Sequence, residues 1–421
     1  MAEYTISGGK RLSGTVRISG AKNSALPILA ASLVTADEVY IKNCPNLSDV
    51  EATINILKLF GCKVCRDKND LYIDARTTSF CEIPERLMRE MRSSIIFLGA
   101  LLSRFHRANL SMPGGCELGP RPIDLHLFSL SQMGVSVKNE TSVLECTAKR
   151  GLSGARISLR FPSVGATENI IIAAVLAKGT TEIYNAAREP EIVDLSDFLN
   201  SCGARIYNAG NSTITVEGVE KLRGCTYSVM PDRIEAATFM AAAALTRGEI
   251  LLEQVRPVDL HSVIPTFEEF GCDVGYNDSQ LLVSMSRRPN RLKNLVTLPH
   301  PGFPTDAQAA VMAVSCIANG TSVFIENIFE NRYKHAYELM RMGADIQVSS
   351  RTAVVQGIDR LHSATVEATD LRSGAALCIA ALNAEGTTTI QKIHHIARGY
   401  ENFEDKLTAL GATIKRKEIR G

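Results

Sequence analysis

The run MPGGCELGPRPID, Met112 to Asp124, sets a thiol, Cys116, between a glycine pair and a guanidinium, Arg121. Gly114 and Gly115 allow positive φ and let the backbone come close to a bound group. A thiol beside a fixed positive charge gives up its proton more readily, so it can protonate a substrate or attack as a thiolate. Arg121 supplies that charge, or forks onto a carboxylate or phosphate. The competing reading makes Cys116 one small buried residue among eleven cysteines. The glycines before it and the arginine after it favour a reactive loop.

Further polar residues collect where strands run into helices. Lys22 and Asn23, Arg92, Ser163 to Gly165, Asp232 with Arg233, Asp306, and Asp370 with Arg372 stand before apolar helical stretches. Arg188, Arg256, Arg332 and Arg398 stand before amphipathic ones. A helix N-terminus offers unpaired N–H groups and the positive end of its dipole, so phosphate or carboxylate is the expected guest. Asp124, Asp194 and Asp259 read as N-caps or first-turn acids. His126 and His261 share one repeat position and read as structural, and the pair His394-His395 has no partner at metal-ligand spacing. Cys62 and Cys65 form a lone CxxC with no second pair, so no metal site is expected there.

The elements that position these groups recur. The phrases LKLFGCKV, LSQMGVSV, LNSCGARI, FEEFGCDV, LMRMGADI and LTALGATI carry Gly61, Gly134, Gly203, Gly271, Gly343 and Gly411, at intervals of 68 to 73 residues. This is an internal repeat. Each phrase reads as a helix end, a glycine at C′, and a strand of alternating Val or Ile. Upstream of each lies a helix of small apolar residues, such as AATFMAAAALT or GAALCIAALN. Helices so uniformly apolar are predicted to be buried all round, with polar-faced ones such as EIVDLSDFLNSCG and YENFEDKLTALG outside them. The result is a layered α/β fold of six modules in two sets of three. The last module lacks its final strands, and the opening YTISGGKRLSGTVRISG resembles them. The predicted domains are therefore 22–229, carrying the Cys116 loop, and 1–21 plus 230–421, with a ligand cleft between them.

The 421 residues are 45% hydrophobic and 22% charged, with a net charge of +1 and no Trp. Scattered Lys and Arg and sparse aromatics exclude a nucleic-acid surface. No apolar run approaches membrane-spanning length, and the opening residues have no apolar h-region. Eleven dispersed cysteines argue against a disulfide framework. A cytoplasmic protein with reduced thiols is expected, its oligomeric state open.

At SGAKNSALP, PGGCELGPRPIDLH, AAREPEIVD, PHPGFPTDAQA, FENRYKH, ATDLRSGAAL and HIARGYENFEDKL the chain closely resembles the UDP-N-acetylglucosamine 1-carboxyvinyltransferases, a branch of the enolpyruvyl transferase family. The resemblance runs from end to end. It implies two inside-out α/β domains, each of three βαβαββ units, and enolpyruvyl transfer from phosphoenolpyruvate to the sugar 3′-hydroxyl with release of phosphate, the first committed step of peptidoglycan synthesis. It implies Cys116 as general acid, also able to form a phospholactoyl adduct. Lys22, Arg121 and Arg398 match cations around phosphate and carboxylate, and Asp306 matches the carboxylate beside the sugar hydroxyl. Asn23 matches an orienting group beside Lys22. Arg92, Arg121, Pro122, Ile123, Asp124, Leu125, Ser163, Val164 and Ile328 match positions lining the nucleotide-sugar pocket. No cofactor or metal is implied. One departure is Arg160-Phe161-Pro162 before Ser163, where a family lysine can stand.

Overall fold

The six repeated glycines end their helices in the left-handed conformation, with φ between +89° and +99°. Any side chain there would carry a steric cost that glycine avoids. At the first copy the N–H of Gly61 donates to Lys58 O at 3.0 Å and that of Cys62 to Leu57 O at 3.1 Å, which closes the helix before the strand begins.

The computed structural model describes residues 2–84, 87, 94–111, 123–139 and 143–418. One module shows the plan. The strand Arg156–Ser158 leads into the helix Val164–Ala174, the strand Thr180–Tyr184, the helix Pro190–Ser201 and the hairpin of Arg205–Tyr207 and Thr213–Glu217. Arg156–Ser158 lies parallel to Thr180–Tyr184, as a helical crossover requires, and the remaining pairs are antiparallel. Ile157, Ile183 and Ile214 sit opposite one another and all are buried, so one face of the sheet meets the helices. Among the described residues, four-stranded sheets of this order occur five times, and the sheet of Arg107–Ser111, Ser136–Asn139 and Val143–Thr147 has three strands.

The chain divides into two compact units. One takes the residues up to Ser19 together with those from Pro231 onwards; the other takes the described residues from Gly20 to Met230. In the Gly20 to Met230 unit the helices Lys22–Thr35, Phe97–Phe105 and Val164–Ala174 pack on one another at the centre. In the other, Arg233–Thr246, Thr305–Ser315 and Leu371–Asn383 do the same, and every residue of Arg233–Thr246 is buried. Sheets, each with a buried and a more exposed face, surround both trios. This fits helices whose residues are apolar on all sides.

The N-terminal strands complete modules far along the chain. Ala2–Ser7 lies between Thr387–Gln391 and Thr413–Glu418, with Ile6 opposite Thr388 and Ile414. Ser13–Arg17 runs parallel to Glu249–Glu253 as the leading strand of that module. Thr226–Ser228 does the same for Glu38–Lys42.

One expectation is corrected. Pro190–Ser201, read as an outer helix, buries Glu191, Asp194 and Ser196 because it packs against Lys22–Thr35. Asp194 is no cap. Lying well inside the helix, its carboxylate accepts from Ser24 Oγ, from Tyr227 Oη at 2.6 Å and from the Met230 N–H at 3.2 Å. It stitches two helices to the last strand of its unit.

Candidate functional site

Lys22 and Asn23 open the first central helix, Lys22 buried and Asn23 exposed. The Lys22 ammonium lies 2.7 Å from the Asp49 carboxylate, with both side chains under a tenth exposed. Burial of that charge requires such a partner. Asp49 stands in the first turn of Ser48–Leu59, the repeat position also held by Asp124 and Asp259.

Ser163 caps Val164–Ala174, its Oγ accepting from the Ala166 N–H at 3.4 Å. Ser163 and Val164 are half-buried. The helix Asp124–Gln132 packs against this one, bringing Ile123, Asp124 and Leu125 to the same end of the unit. Asp124 is exposed, while Ile123 and Leu125 are half-buried. His126 is buried beneath them, and its Nδ1 accepts from Asn169 Nδ2 at 3.0 Å. Burial pushes its pKa down to about 4, against the pull of Asp124, so the imidazole is neutral. A Cβ on Gly165 would come within 3.2 Å of the His126 ring, so a side chain there would crowd the imidazole. His261, at the matching repeat position, is instead exposed and contacts Pro301 O at 3.1 Å through Nε2. Phe161, beside the departure from the family pattern, is 42% exposed.

In the other unit Asp306 lies in the first turn of Thr305–Ser315, its side chain 29% exposed. Two buried guanidiniums hold it. Arg332 Nη2 reaches Asp306 Oδ1 and Arg372 Nε reaches Oδ2, each at 3.4 Å. Arg332 also donates to Thr305 O at 2.9 Å. Arg372 lies 3.9 Å from Asp232 and stacks over Tyr400 with 5.2 Å to the ring centroid. Burial works against its charge, but Tyr400, Asp232 and Asp306 together raise its pKa above the usual guanidinium value. Asp370 is likewise pushed up by burial, and Arg332 with the Ser373 hydrogen bonds more than reverses this. Ile328 is tied to the same helix start: its N–H and that of Phe329 donate to Glu326 Oε1 at 2.8 and 3.0 Å, while Thr305 Oγ1 donates to Oε2 at 3.0 Å. Arg398 ends the 3-10 helix Ile393–Arg398 and is half-buried. The next two residues, Gly399 and Tyr400, abut Arg372.

The structure thus brings Asp306, Ile328 and Arg398 to one end of their unit, and Ser163, Val164 and Ile123 to Leu125 to one end of the other. Cys116, Arg121, Pro122 and Arg92 lie outside the described residues. At two junctions expected to attract an anion the chain supplies its own. Asp232 caps Arg233–Thr246, accepting from the N–H groups of Ile234 and Glu235 at 2.8 and 3.0 Å, and Asp370 caps Leu371–Asn383 in the same way. Cys62 is buried with its thiol pushed up to about 12, whereas Cys65 is exposed, so the CxxC does not converge. Among the described residues no group of three His, Cys, Asp or Glu could hold a metal, and no helix is long and apolar enough to cross a membrane.

Arg332 and Arg372 were legible as junction residues but not as the holders of Asp306. Asp49 was missed. Its signal was the repeat itself, since it opens an outer helix as Asp124 does.

The fold and these charged helix ends define a class. A solved enolpyruvyl transferase, NikO from Streptomyces tendae, superposes with a TM-score of 0.90 at 26% identity, covering 99% of both chains. An EPSP synthase structure from Acinetobacter baumannii, 18% identical with a TM-score of 0.78, shares the fold. The family model described as EPSP synthase (3-phosphoshikimate 1-carboxyvinyltransferase) matches residues 6–407, and the chain belongs to that family of enolpyruvyl transferases. Within it, the chain is 49% identical over 416 residues to UDP-N-acetylglucosamine 1-carboxyvinyltransferase 2 of Caldanaerobacter subterraneus subsp. tengcongensis, covering 99% of this chain and 100% of the relative. It is 46% identical over 417 residues to the UDP-N-acetylglucosamine 1-carboxyvinyltransferase of Yersinia pestis strain Pestoides F, with 99% of each chain covered.

Proposed function

We infer that this enzyme transfers the enolpyruvyl group of phosphoenolpyruvate to the 3′-hydroxyl of UDP-N-acetylglucosamine, releasing phosphate. The observation that carries the reading is the full-length identity of nearly one half to relatives bearing that name. On this reading the reaction is a cytoplasmic one that opens peptidoglycan synthesis.

Addition needs a proton on the methylene carbon of phosphoenolpyruvate while the sugar hydroxyl attacks the neighbouring carbon. Elimination then removes a proton and expels phosphate. Cys116 gives the first proton, and Lys22, Arg121 and Arg398 offset charge on the phosphate and carboxylate as the tetrahedral intermediate forms. Asp306 takes the proton of the sugar hydroxyl. Its support is geometric: the two guanidiniums at 3.4 Å orient both carboxylate oxygens and keep the group on the rim of its helix. Asn23, Arg92, Arg121 to Leu125, Ser163, Val164 and Ile328 line the nucleotide-sugar pocket on this reading.

The family model carries the name of the shikimate enzyme, which makes 3-phosphoshikimate the rival acceptor. Phosphate release is measured with phosphoenolpyruvate and each acceptor in turn. Release with UDP-N-acetylglucosamine alone is expected; release only with shikimate 3-phosphate, or with neither, would overturn the reading.

A further inference from the structure

Two cysteines outside the candidate site stand sulfur to sulfur. Cys202 caps the C-terminus of Pro190–Ser201, and Cys225 immediately precedes the strand Thr226–Ser228. The Arg223 N–H donates to Cys202 O at 2.8 Å, which holds the approach to Cys225 against the helix end. In that arrangement the Cys202 thiol donates to Cys225 Sγ at 3.3 Å. Other described cysteines differ in kind. Cys146, Cys272, Cys316 and Cys378 are buried singly, and burial raises their pKa values.

The pair is asymmetric in access. Cys202 is fully buried, whereas Cys225 is half-buried and lines an open hollow with Asp37, Glu38, Tyr40, Tyr72, Gly224 and Thr226. A small oxidant can reach Cys225 and not Cys202. The hydrogen bond from Cys202 also favours the Cys225 thiolate, the nucleophilic form, over the opposing effect of burial.

We propose that Cys202 and Cys225 are a reversible dithiol–disulfide site, with Cys225 the sulfur that meets the oxidant and Cys202 the one that resolves it. With hydrogen peroxide as the two-electron oxidant, the Cys225 thiolate attacks one peroxide oxygen and the O–O bond breaks. Hydroxide leaves, and Cys225 becomes a sulfenic acid. The Cys202 sulfur then attacks Cys225 Sγ, the S–O bond breaks, and water leaves with the thiol proton. Two thiols and one peroxide give one disulfide and two waters. Closing the bond needs the sulfurs to move from 3.3 Å to about 2.05 Å, a shift local to the helix end and the loop after Arg223. The crosslink ties the helix that carries Asp194 to the strand that carries its partner Tyr227.

The test uses the full-length wild-type enzyme, treated with hydrogen peroxide, alkylated, digested without reductant and read by peptide mass spectrometry. A Cys202–Cys225 linked peptide, lost on treatment with dithiothreitol, is expected, and the crosslinked protein should melt several degrees higher, about 5 °C or more. Cys202→Ser should leave a sulfenic acid that dimedone traps on Cys225, while Cys225→Ser should leave Cys202 unmodified. Both thiols alkylated after peroxide has oxidised Cys65 would overturn the proposal, as would dimedone on Cys202. Because each peptide is read separately, oxidation at Cys116 does not obscure the result.

Discussion

Asp306→Asn removes one negative charge and keeps the shape of the side chain, so it separates the chemistry assigned to Asp306 from its packing. Two guanidiniums, each with a side chain 2% exposed, lose an anionic partner at 3.4 Å. A hydrogen bond to a charged group contributes about 1.5–3 kcal/mol, and contacts at 3.4 Å belong at the low end of that range. Arg372 keeps Asp232 and Tyr400, and Arg332 keeps Thr305 O. A stability loss of about 2–3 kcal/mol is therefore expected, which leaves the protein folded at 25 °C. Turnover should fall much further. Losing a positioned general base lowers kcat by roughly 10²–10⁴-fold, while the nucleotide sugar still binds through contacts away from the hydroxyl. Phosphate release gives kcat, titration calorimetry gives the Kd for UDP-N-acetylglucosamine, and thermal unfolding gives Tm. A folded variant whose kcat stays within tenfold of wild type would refute the assignment, as would a loss confined to Kd.

Motivated by the reactive loop read in the sequence, the epoxide fosfomycin should alkylate Cys116, and intact-protein and peptide mass spectra showing adducts only at other cysteines would contradict that. Arg398→Ala should raise the KM for phosphoenolpyruvate by tenfold or more with the sugar-nucleotide Kd little changed; the reverse pattern places Arg398 elsewhere. Asp194→Ala leaves the buried Ser24 hydroxyl and Met230 N–H without their acceptor, while the half-buried Tyr227 Oη keeps the Asp194 carbonyl at 3.0 Å, so Tm should drop by an amount corresponding to about 2–5 kcal/mol, and a drop under 1 kcal/mol would show that the stitch is dispensable. His126 and His335 are both pushed down to about 4 by burial. Their unfolded value is near 6.5, so between those pH values the unfolded chain binds more protons and stability rises with pH. It is fully present above about pH 6.5 and lost as pH falls towards 4, by about 3 kcal/mol at most for each histidine. A Tm unchanged between pH 7 and pH 4.5, or an unaltered pH slope in His126→Gln, would contradict this.

Much of the architecture was legible because local chemistry dictates it. A glycine at C′ is the residue that takes φ near +90° without strain, so six such phrases announced six helix ends. Helices without a polar face had to be central, and all fourteen residues of Arg233–Thr246 are buried. Cys116 stood out through its neighbours in sequence. The misreadings came where a polar residue's partner lies far away in the chain. Asp194 looked like a first-turn acid, yet it reaches Ser24, Tyr227 and Met230. Asp232 and Asp370 looked like parts of anion sites, yet they are the anions that cap their helices.

The sequence alone therefore determined the module and its number, since periodicity, turn residues and motif spacing act over a few residues at a time, and for the same reason it could put forward candidate reactive groups. Only the tertiary structure decided which charges hold which. Asp306 and Arg372 are 66 residues apart, and Lys22 meets Asp49 across two helices. A buried charge must find a partner, but nothing local to it says which of several arginines or aspartates will be delivered there. That choice belongs to the packing of the central helices.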